Sequence, residues 1–212
     1  MKEVFLNRSI SFITSYKKYS LEEIEKLRYG LEGIYLTIYK LVIILILSLI
    51  LRTFKETIIL LLLFNIIRFP AFGFHASTSR ECLIVSLLFL LGIPYLLLHI
   101  DIPFYLKVSI CCVCLICFLI YAPADTVKRP LPNKRKRIIR KSFSVLLCFI
   151  YMLGMFLFKN KTINNLFFAA ILIETILILP VTYKLFHQPY GNYKTIKKVW
   201  MQLHLNKKIK RR

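Results

Sequence analysis

The stretch "IYLTIYKLVIILILSLIL", residues 34–51, contains a single charged side chain, Lys40, among aliphatic and aromatic residues. A helix of about 20 mostly apolar residues crosses the roughly 30 Å of hydrocarbon in a bilayer, so this stretch predicts a transmembrane helix. Five further stretches come close to that length, at 58–74, 82–100, 104–122, 142–158 and 163–183. Arg68 and Pro70 interrupt the second of the six, and a partial crossing or a re-entrant segment is the alternative there.

The composition of the whole chain agrees with a membrane protein. Of its 212 residues 58% are hydrophobic, whereas soluble domains have a share of about one half. We therefore predict an all-α, polytopic integral membrane bundle of about six transmembrane segments, with amphipathic helices at both ends. Lys and Arg number 31 against 10 Asp and Glu. Such an excess fits nucleic acid, anionic lipid or an acidic partner, and the hydropathy favours lipid over nucleic acid.

Positive charge also predicts the orientation, because Lys and Arg in short loops favour the cytoplasmic side. Six of these residues precede the first span, eight lie between spans four and five, and nine follow span six. The loops on the opposite side hold only Arg52 and Lys55, none at 101–103, and then Lys159 and Lys161. We expect both termini, and the loop between spans two and three, to face the cytoplasm.

A single membrane domain over residues 1–212 is expected. Residues 1–33 would form amphipathic N-terminal helices, since Ser20 and Glu23 make a capping box before apolar residues at helical spacing. Residues 34–183 would form the bundle with a basic loop at 123–141, and residues 184–212 a basic tail at the membrane surface. The N-terminus has no continuous apolar run before a small-residue cleavage site, so we expect no cleaved signal peptide.

A polar interruption, "FGFHASTSREC" at residues 72–82, holds the candidate chemistry. On one helix His75 and Cys82 would lie about 10.5 Å apart, too far for proton transfer, so a turn between them is required. Gly73 loosens the backbone before the histidine, and "TSRE" at 78–81 is a capping box that places Cys82 in the first turn of the next helix. The helix dipole and Arg80 favour the thiolate there, and His75 would be its base. The alternative is an interfacial histidine and a small packing cysteine.

Two further features are weaker. "CCVCLIC", residues 111–117, contains the CxxC spacing, but it lies inside span four without histidine or acidic companions, so packing is expected and no metal or cofactor. Glu174 lies within span six, where a carboxylate is costly and faces a partner or water. Pairing with Lys40 and lining of a peptide path are both open.

Two motifs resemble those of the accessory gene regulator protein B (AgrB) family. They are "RFPAFGFHASTSREC" at 68–82, with arginine, glycine turn, His-Ala and a cysteine seven positions after the histidine, and "YAPADTVKRPLPNKRKRIIRK" at 121–141. The order of the motifs, the six spans and the length extend the resemblance over essentially the whole chain. Phe72 departs from the paired glycines of many members, which affects the geometry of the turn.

The resemblance implies a cysteine endopeptidase in the bacterial cell membrane. Cys82 would attack a propeptide of the AgrD type with His75 as base, and the resulting thioester would close to a thiolactone or lactone for quorum sensing. The family's propeptides have an acidic C-terminal segment, so the resemblance assigns its binding to the basic residues Lys128, Arg129, Lys134, Arg135, Lys136 and Arg137. Arg68 would bind a substrate carboxylate or a lipid phosphate, with a role as interface anchor the alternative. A homodimer and contact with anionic lipid are also expected.

Several points stay open at the level of sequence. Asn65, Ser77, Ser79 and Asp125 are all polar candidates for orienting the histidine, and no spacing selects among them. Backbone N–H groups at the start of the third span would form the oxyanion hole. A non-enzymatic peptide transporter or exporter is the competing function, and a lipid-modifying enzyme is less fitting because the acidic residues form no paired cluster.

Single cysteines in a chain without native cysteines test the predicted orientation. Lys136→Cys should react with a membrane-impermeant maleimide only from the cytoplasmic side, and Lys159→Cys only from outside, because the loop charges set the topology. Labelling of intact and opened cells measures the side directly. The reverse pattern would move the site to the outer face and contradict the prediction.

Overall fold

The computed structural model of the protein describes residues 2–17, 19–74, 78–126, 131–158 and 160–192. Regular structure within these ranges is helical, with an isolated parallel bridge between Phe72 and Ala124. The predicted all-α class is therefore confirmed. The chain divides into two compact units, Met1–Arg52 and Thr53–Arg212.

The first unit consists of two helices, α1 (Lys2–Tyr16) and α2 (Leu21–Ile50). The predicted capping box is present: the Ser20 hydroxyl accepts the Glu23 N–H, and the Glu23 carboxylate accepts the Ser20 N–H at 2.8 Å. Helix α2 continues for 30 residues, so the predicted amphipathic helix and the first span are one element. Lys2 contacts Glu32 at 2.7 Å and ties α1 to α2.

The second unit is a bundle around one central helix. Its elements are α3 (Phe54–Ala71), α4 (Ser79–Leu87), a π-helical segment (Leu88–Gly92), α5 (Ile93–His99), α6 (Phe104–Tyr121), α7 (Lys134–Leu157), α8 (Lys161–Ile178) and α9 (Pro180–Leu185). Helix α8 packs against α3, α5, α6 and α7, and 12 of its 18 residues are buried. Small residues such as Ala169 and Ala170 on α8 let neighbouring helices approach closely, as membrane bundles require.

Five helices in the described ranges are long and apolar enough to cross a membrane: Leu21–Ile50, Arg80–His99, Phe104–Tyr121, Lys134–Leu157 and Lys161–Ile178. Each corresponds to one predicted span. Helix α3, at the remaining predicted span, has 18 residues but carries Lys55, Glu56 and Arg68. A full crossing by α3 therefore stays a prediction.

Helix boundaries differ from the predicted spans in two places. Helix α7 begins at Lys134, where Asn133 Oδ1 accepts the Arg135 and Lys136 N–H groups, so the second half of the predicted basic loop is helical. The predicted span at 163–183 is two elements, because Pro180 holds Leu179 in an extended conformation and starts the short helix α9. The predicted C-terminal amphipathic helix falls on residues 193–212 and lies outside the described residues.

Polar side chains inside the bundle find partners on neighbouring helices. Buried Lys107 on α6 donates to Asn165 Oδ1 on α8 at 2.5 Å, and Asn165 Nδ2 donates to the Leu97 carbonyl at 2.7 Å. Tyr151 on α7 donates to the Leu63 carbonyl on α3 at 2.8 Å. Each bond satisfies a group that would be costly to leave unpaired in an apolar interior.

Candidate active site

Cys82 lies in the first turn of α4, as the sequence predicted. The Thr78 hydroxyl accepts the Glu81 N–H at 3.3 Å, and the Glu81 carboxylate accepts the Thr78 N–H at 3.4 Å, which confirms the capping box. The N–H of Cys82 donates to the Thr78 carbonyl at 3.1 Å. The thiol is half-buried at the N-terminal end of a helix, where the helix dipole is positive.

The other member of the predicted pair, His75, lies outside the described residues, as does Ser77. The described chain stops at Phe74 and resumes at Thr78. The structure therefore describes the chain up to Phe74 and again from Thr78. The His75–Cys82 contact stays a prediction.

The turn before the histidine, residues Phe72 to Phe74, is bonded into the bundle through its backbone. Gly73 donates to the Ala124 carbonyl and Ala124 donates to the Ala71 carbonyl, both at 3.0 Å. Phe74 donates to the Leu177 carbonyl of α8 at 2.7 Å, and its ring stacks on Phe186 with centroids 4.5 Å apart. The two family-like motifs, distant in sequence, thus meet at this turn.

Glycine is required at one of these positions. Gly73 has φ +97°, and a Cβ there would lie 3.1 Å from the Leu177 backbone oxygen and 3.2 Å from Glu174 Oε1. The neighbouring Phe72 also has a positive φ, +67°, which is strained for a bulky residue. Arg140 compensates in part, since its guanidinium lies 4.5 Å from the Phe72 ring and donates to the Phe69 carbonyl at 2.9 Å. Phe72 stands where many members of the resembled family have the first of two glycines, and it keeps the positive φ that glycine favours.

Arg68 is engaged inside the protein. Its Nη2 donates to the Phe74 carbonyl at 2.6 Å, and its Nη1 lies 3.4 Å from Glu174 Oε2. Glu174 is fully buried, and its carboxylate forms an ion pair with Arg68. These contacts differ from the substrate, lipid and interface roles expected for Arg68, each of which stays a prediction. The sequence signal was present: two opposite charges on different spans.

Two of the four candidates for orienting the histidine have other partners. Asp125, 1% exposed, lies 3.5 Å from Arg137 Nη1 and accepts the Leu131 N–H at 3.3 Å. Asn65 donates to the Leu61 carbonyl of its own helix at 2.7 Å. No side chain is described for Ser79, so the third member of the site stays open.

The predicted basic residues fall into three groups. Lys134, Arg135 and Lys136 are exposed in the first turn of α7. Arg137 is turned inward to Asp125 and also donates to the Pro123 carbonyl at 3.4 Å. Lys128 and Arg129 lie outside the described residues. Because Asp125 adjoins Ala124, the Arg137 contact fixes the start of α7 beside the turn.

The remaining cysteines belong to the bundle interior and its surface. Cys111, Cys114 and Cys148 are buried, and Cys111 Sγ lies 3.8 Å from Met155 Sδ. Among the described residues, no three His, Cys, Asp or Glu side chains are grouped in a way that could hold a metal ion.

Comparison with known proteins gives a consistent result. The sequence model of the family Accessory gene regulator B matches residues 6–178. Accessory gene regulator protein B of Staphylococcus epidermidis is 32% identical over 170 residues, which cover 78% of this chain and 85% of that protein. An AgrB-like protein of Clostridium acetobutylicum is 34% identical over 172 residues, covering 81% of this chain and 82% of that protein. No solved structure matches the chain.

Gly73→Ala tests whether the turn has room for a side chain. The new Cβ would meet the backbone of α8 and strain a positive φ, so we expect a loss of about 1–3 kcal/mol in the free energy of unfolding. Unfolding in detergent measures the change. Gly92→Ala is the matched control, because its Cβ would meet nothing within 4 Å and its φ is −64°. Equal stability of the two variants would contradict the described turn.

Proposed function

The chain belongs to the accessory gene regulator B family, and we propose that it acts in this quorum-sensing system as a membrane-embedded cysteine endopeptidase that also cyclises its product. Five helices able to cross a bilayer make it a multi-pass membrane protein. The observation that carries the proposal is Cys82, held in the first turn of the capped helix α4 directly after the turn that is bonded into the bundle. This location at a helix N-terminus supports the proposed role of Cys82 as nucleophile.

In the proposed reaction, Cys82 Sγ attacks the carbonyl of the scissile peptide bond while His75 takes the thiol proton. The tetrahedral intermediate collapses as the C–N bond breaks, and His75 returns the proton to the departing amine. The N-terminal part of the propeptide is left as a thioester on Cys82. A cysteine or serine side chain of that peptide then attacks the thioester, which forms the thiolactone or lactone and frees the Cys82 thiol.

The oxyanion of each step needs donors near the thiol. The N–H groups of Glu81 and Cys82 already donate to Thr78 within the capped turn. We therefore assign the oxyanion hole to the N–H groups of Ser79 and Arg80, at the first two positions of α4, where helix N–H groups lack intrahelical acceptors.

The exposed cations Lys134, Arg135 and Lys136 are proposed to bind the acidic C-terminal segment of an AgrD-type propeptide. Their support is the ion pair between Arg137 and Asp125 at 3.5 Å, which joins the start of α7 to the segment bridged to the turn. Lys128 and Arg129 belong to the same proposal. Contact with anionic lipid, worth about 1 kcal/mol per basic residue, is compatible with it.

The proposed setting is the cytoplasmic face of a bacterial cell membrane, with both termini on that side and the protein as a homodimer. Charge distribution supports the orientation, and the family resemblance supports the homodimer. Thiols stay reduced in the cytoplasm, so Cys82 would remain a nucleophile there.

Cys82→Ala and His75→Ala should each abolish cleavage of a propeptide with a central cysteine and an acidic C-terminal segment, because the nucleophile or its base is removed. Electrophoresis of the propeptide in membranes measures cleavage, with insertion checked in parallel. The control replaces the other five cysteines, Cys111, Cys112, Cys114, Cys117 and Cys148, by alanine, and it should retain activity. Continued cleavage by Cys82→Ala would contradict the proposal. A non-enzymatic exporter would keep its transport activity in this variant, because transport needs no nucleophile.

A further inference from the structure

Glu174 is a fully buried carboxylate in the C-terminal part of α8, four residues before the last residue of the helix, Ile178. A charge at such depth is costly unless it is paired, and in membrane helices it marks a functional group more often than a stabilising one. Its partner Arg68 lies on α3, and the Arg68 side chain as a whole is 22% exposed.

The Arg68 guanidinium contacts two different groups. One nitrogen faces Glu174 Oε2 at 3.4 Å and the other donates to the Phe74 carbonyl at 2.6 Å. A planar fork serves both at once, whereas the single ammonium of lysine is a point donor. Arg68 therefore joins α8 and the turn to α3 at the same time.

The Phe74 peptide groups are held from both sides. Its N–H donates to Leu177 of α8 at 2.7 Å, and its carbonyl accepts from Arg68 of α3. Within the described part of the chain, Glu174 Oε1 has no hydrogen-bond donor. This oxygen lies beside Gly73, since a Cβ added to Gly73 would be 3.2 Å from it. The carboxylate thus borders the turn directly as well as through Arg68.

We propose that Glu174 and Arg68 form a positioning pair, in which the carboxylate fixes the guanidinium and the guanidinium holds the Phe74 carbonyl. The pair fixes the Phe74 carbonyl, which is the last described backbone group before His75 in the sequence, and His75 depends on it for its position. This role rests on the proposed His75–Cys82 chemistry. Neither residue touches the reacting atoms, so both act through the turn. Misplacing a catalytic group by about 1 Å costs up to about 100-fold in rate, which is the scale on which such positioning acts.

The test measures alkylation of Cys82 by iodoacetamide at neutral pH, in the chain where Cys82 is the sole cysteine. Thiolate reactivity reports the His75 base without any propeptide. The variants are Glu174→Gln, which keeps the shape of the side chain, and Arg68→Lys, which keeps the charge but not the planar fork, and His75→Ala is the reference. The matched control, Lys107→Met with Asn165→Leu, removes another buried polar pair on α8, about 13 Å along the helix from Glu174.

Glu174→Gln and Arg68→Lys should slow alkylation about tenfold, towards the His75→Ala rate, while the control reacts like the parent. Glu174→Gln leaves the Arg68 charge without its carboxylate partner, so its unfolding temperature should fall, and alkylation is therefore measured well below the unfolding temperature of every variant. Parent-like alkylation of Glu174→Gln, or equal slowing in the control, would overturn the positioning role alone. If His75→Ala reacts as fast as the parent, the His75–Cys82 pair is wrong and the positioning role falls with it.

Discussion

Backbone N–H and C=O groups that are buried inside a protein need hydrogen-bond partners there, and the turn at Phe72 to Phe74 is organised by that requirement. Gly73 donates to Ala124, Phe74 donates to Leu177, and the Phe74 carbonyl accepts from Arg68. Each partner belongs to a different part of the bundle. The turn can therefore form only when α3, α8 and the segment after α6 are assembled together.

This dependence explains the central position of α8. Its buried face packs against α3, α5, α6 and α7, and its C-terminal part supplies both the Leu177 carbonyl and the Glu174 carboxylate. The helix ends just beyond these groups because Pro180 starts a new element. The proposed nucleophile, Cys82, is positioned separately, by the local capping box at Thr78. One half of the site thus depends on tertiary packing and the other on local sequence.

That division also describes what the sequence could predict. The capping boxes at Ser20 and Thr78, the location of Cys82 in a first helical turn and the helices at five predicted spans follow from local patterns. The bridge from Phe72 to Ala124 and the Arg68–Glu174 contact join residues 52 and 106 positions apart, respectively, so no local pattern contains them. Pro180 is a helix-breaking residue. The apolar residues around it nevertheless led to the prediction of one continuous span at 163–183.

The central claim, acyl transfer through Cys82, is tested most directly by trapping the intermediate. The protein is mixed with a propeptide that has alanine in place of its ring-closing residue, quenched in acid and analysed intact by mass spectrometry. Acyl transfer predicts an adduct on Cys82 with the mass of the N-terminal propeptide fragment, which hydroxylamine releases as expected for a thioester. Release of the C-terminal fragment without any Cys82 adduct, or an adduct that forms equally in Cys82→Ala, would contradict it.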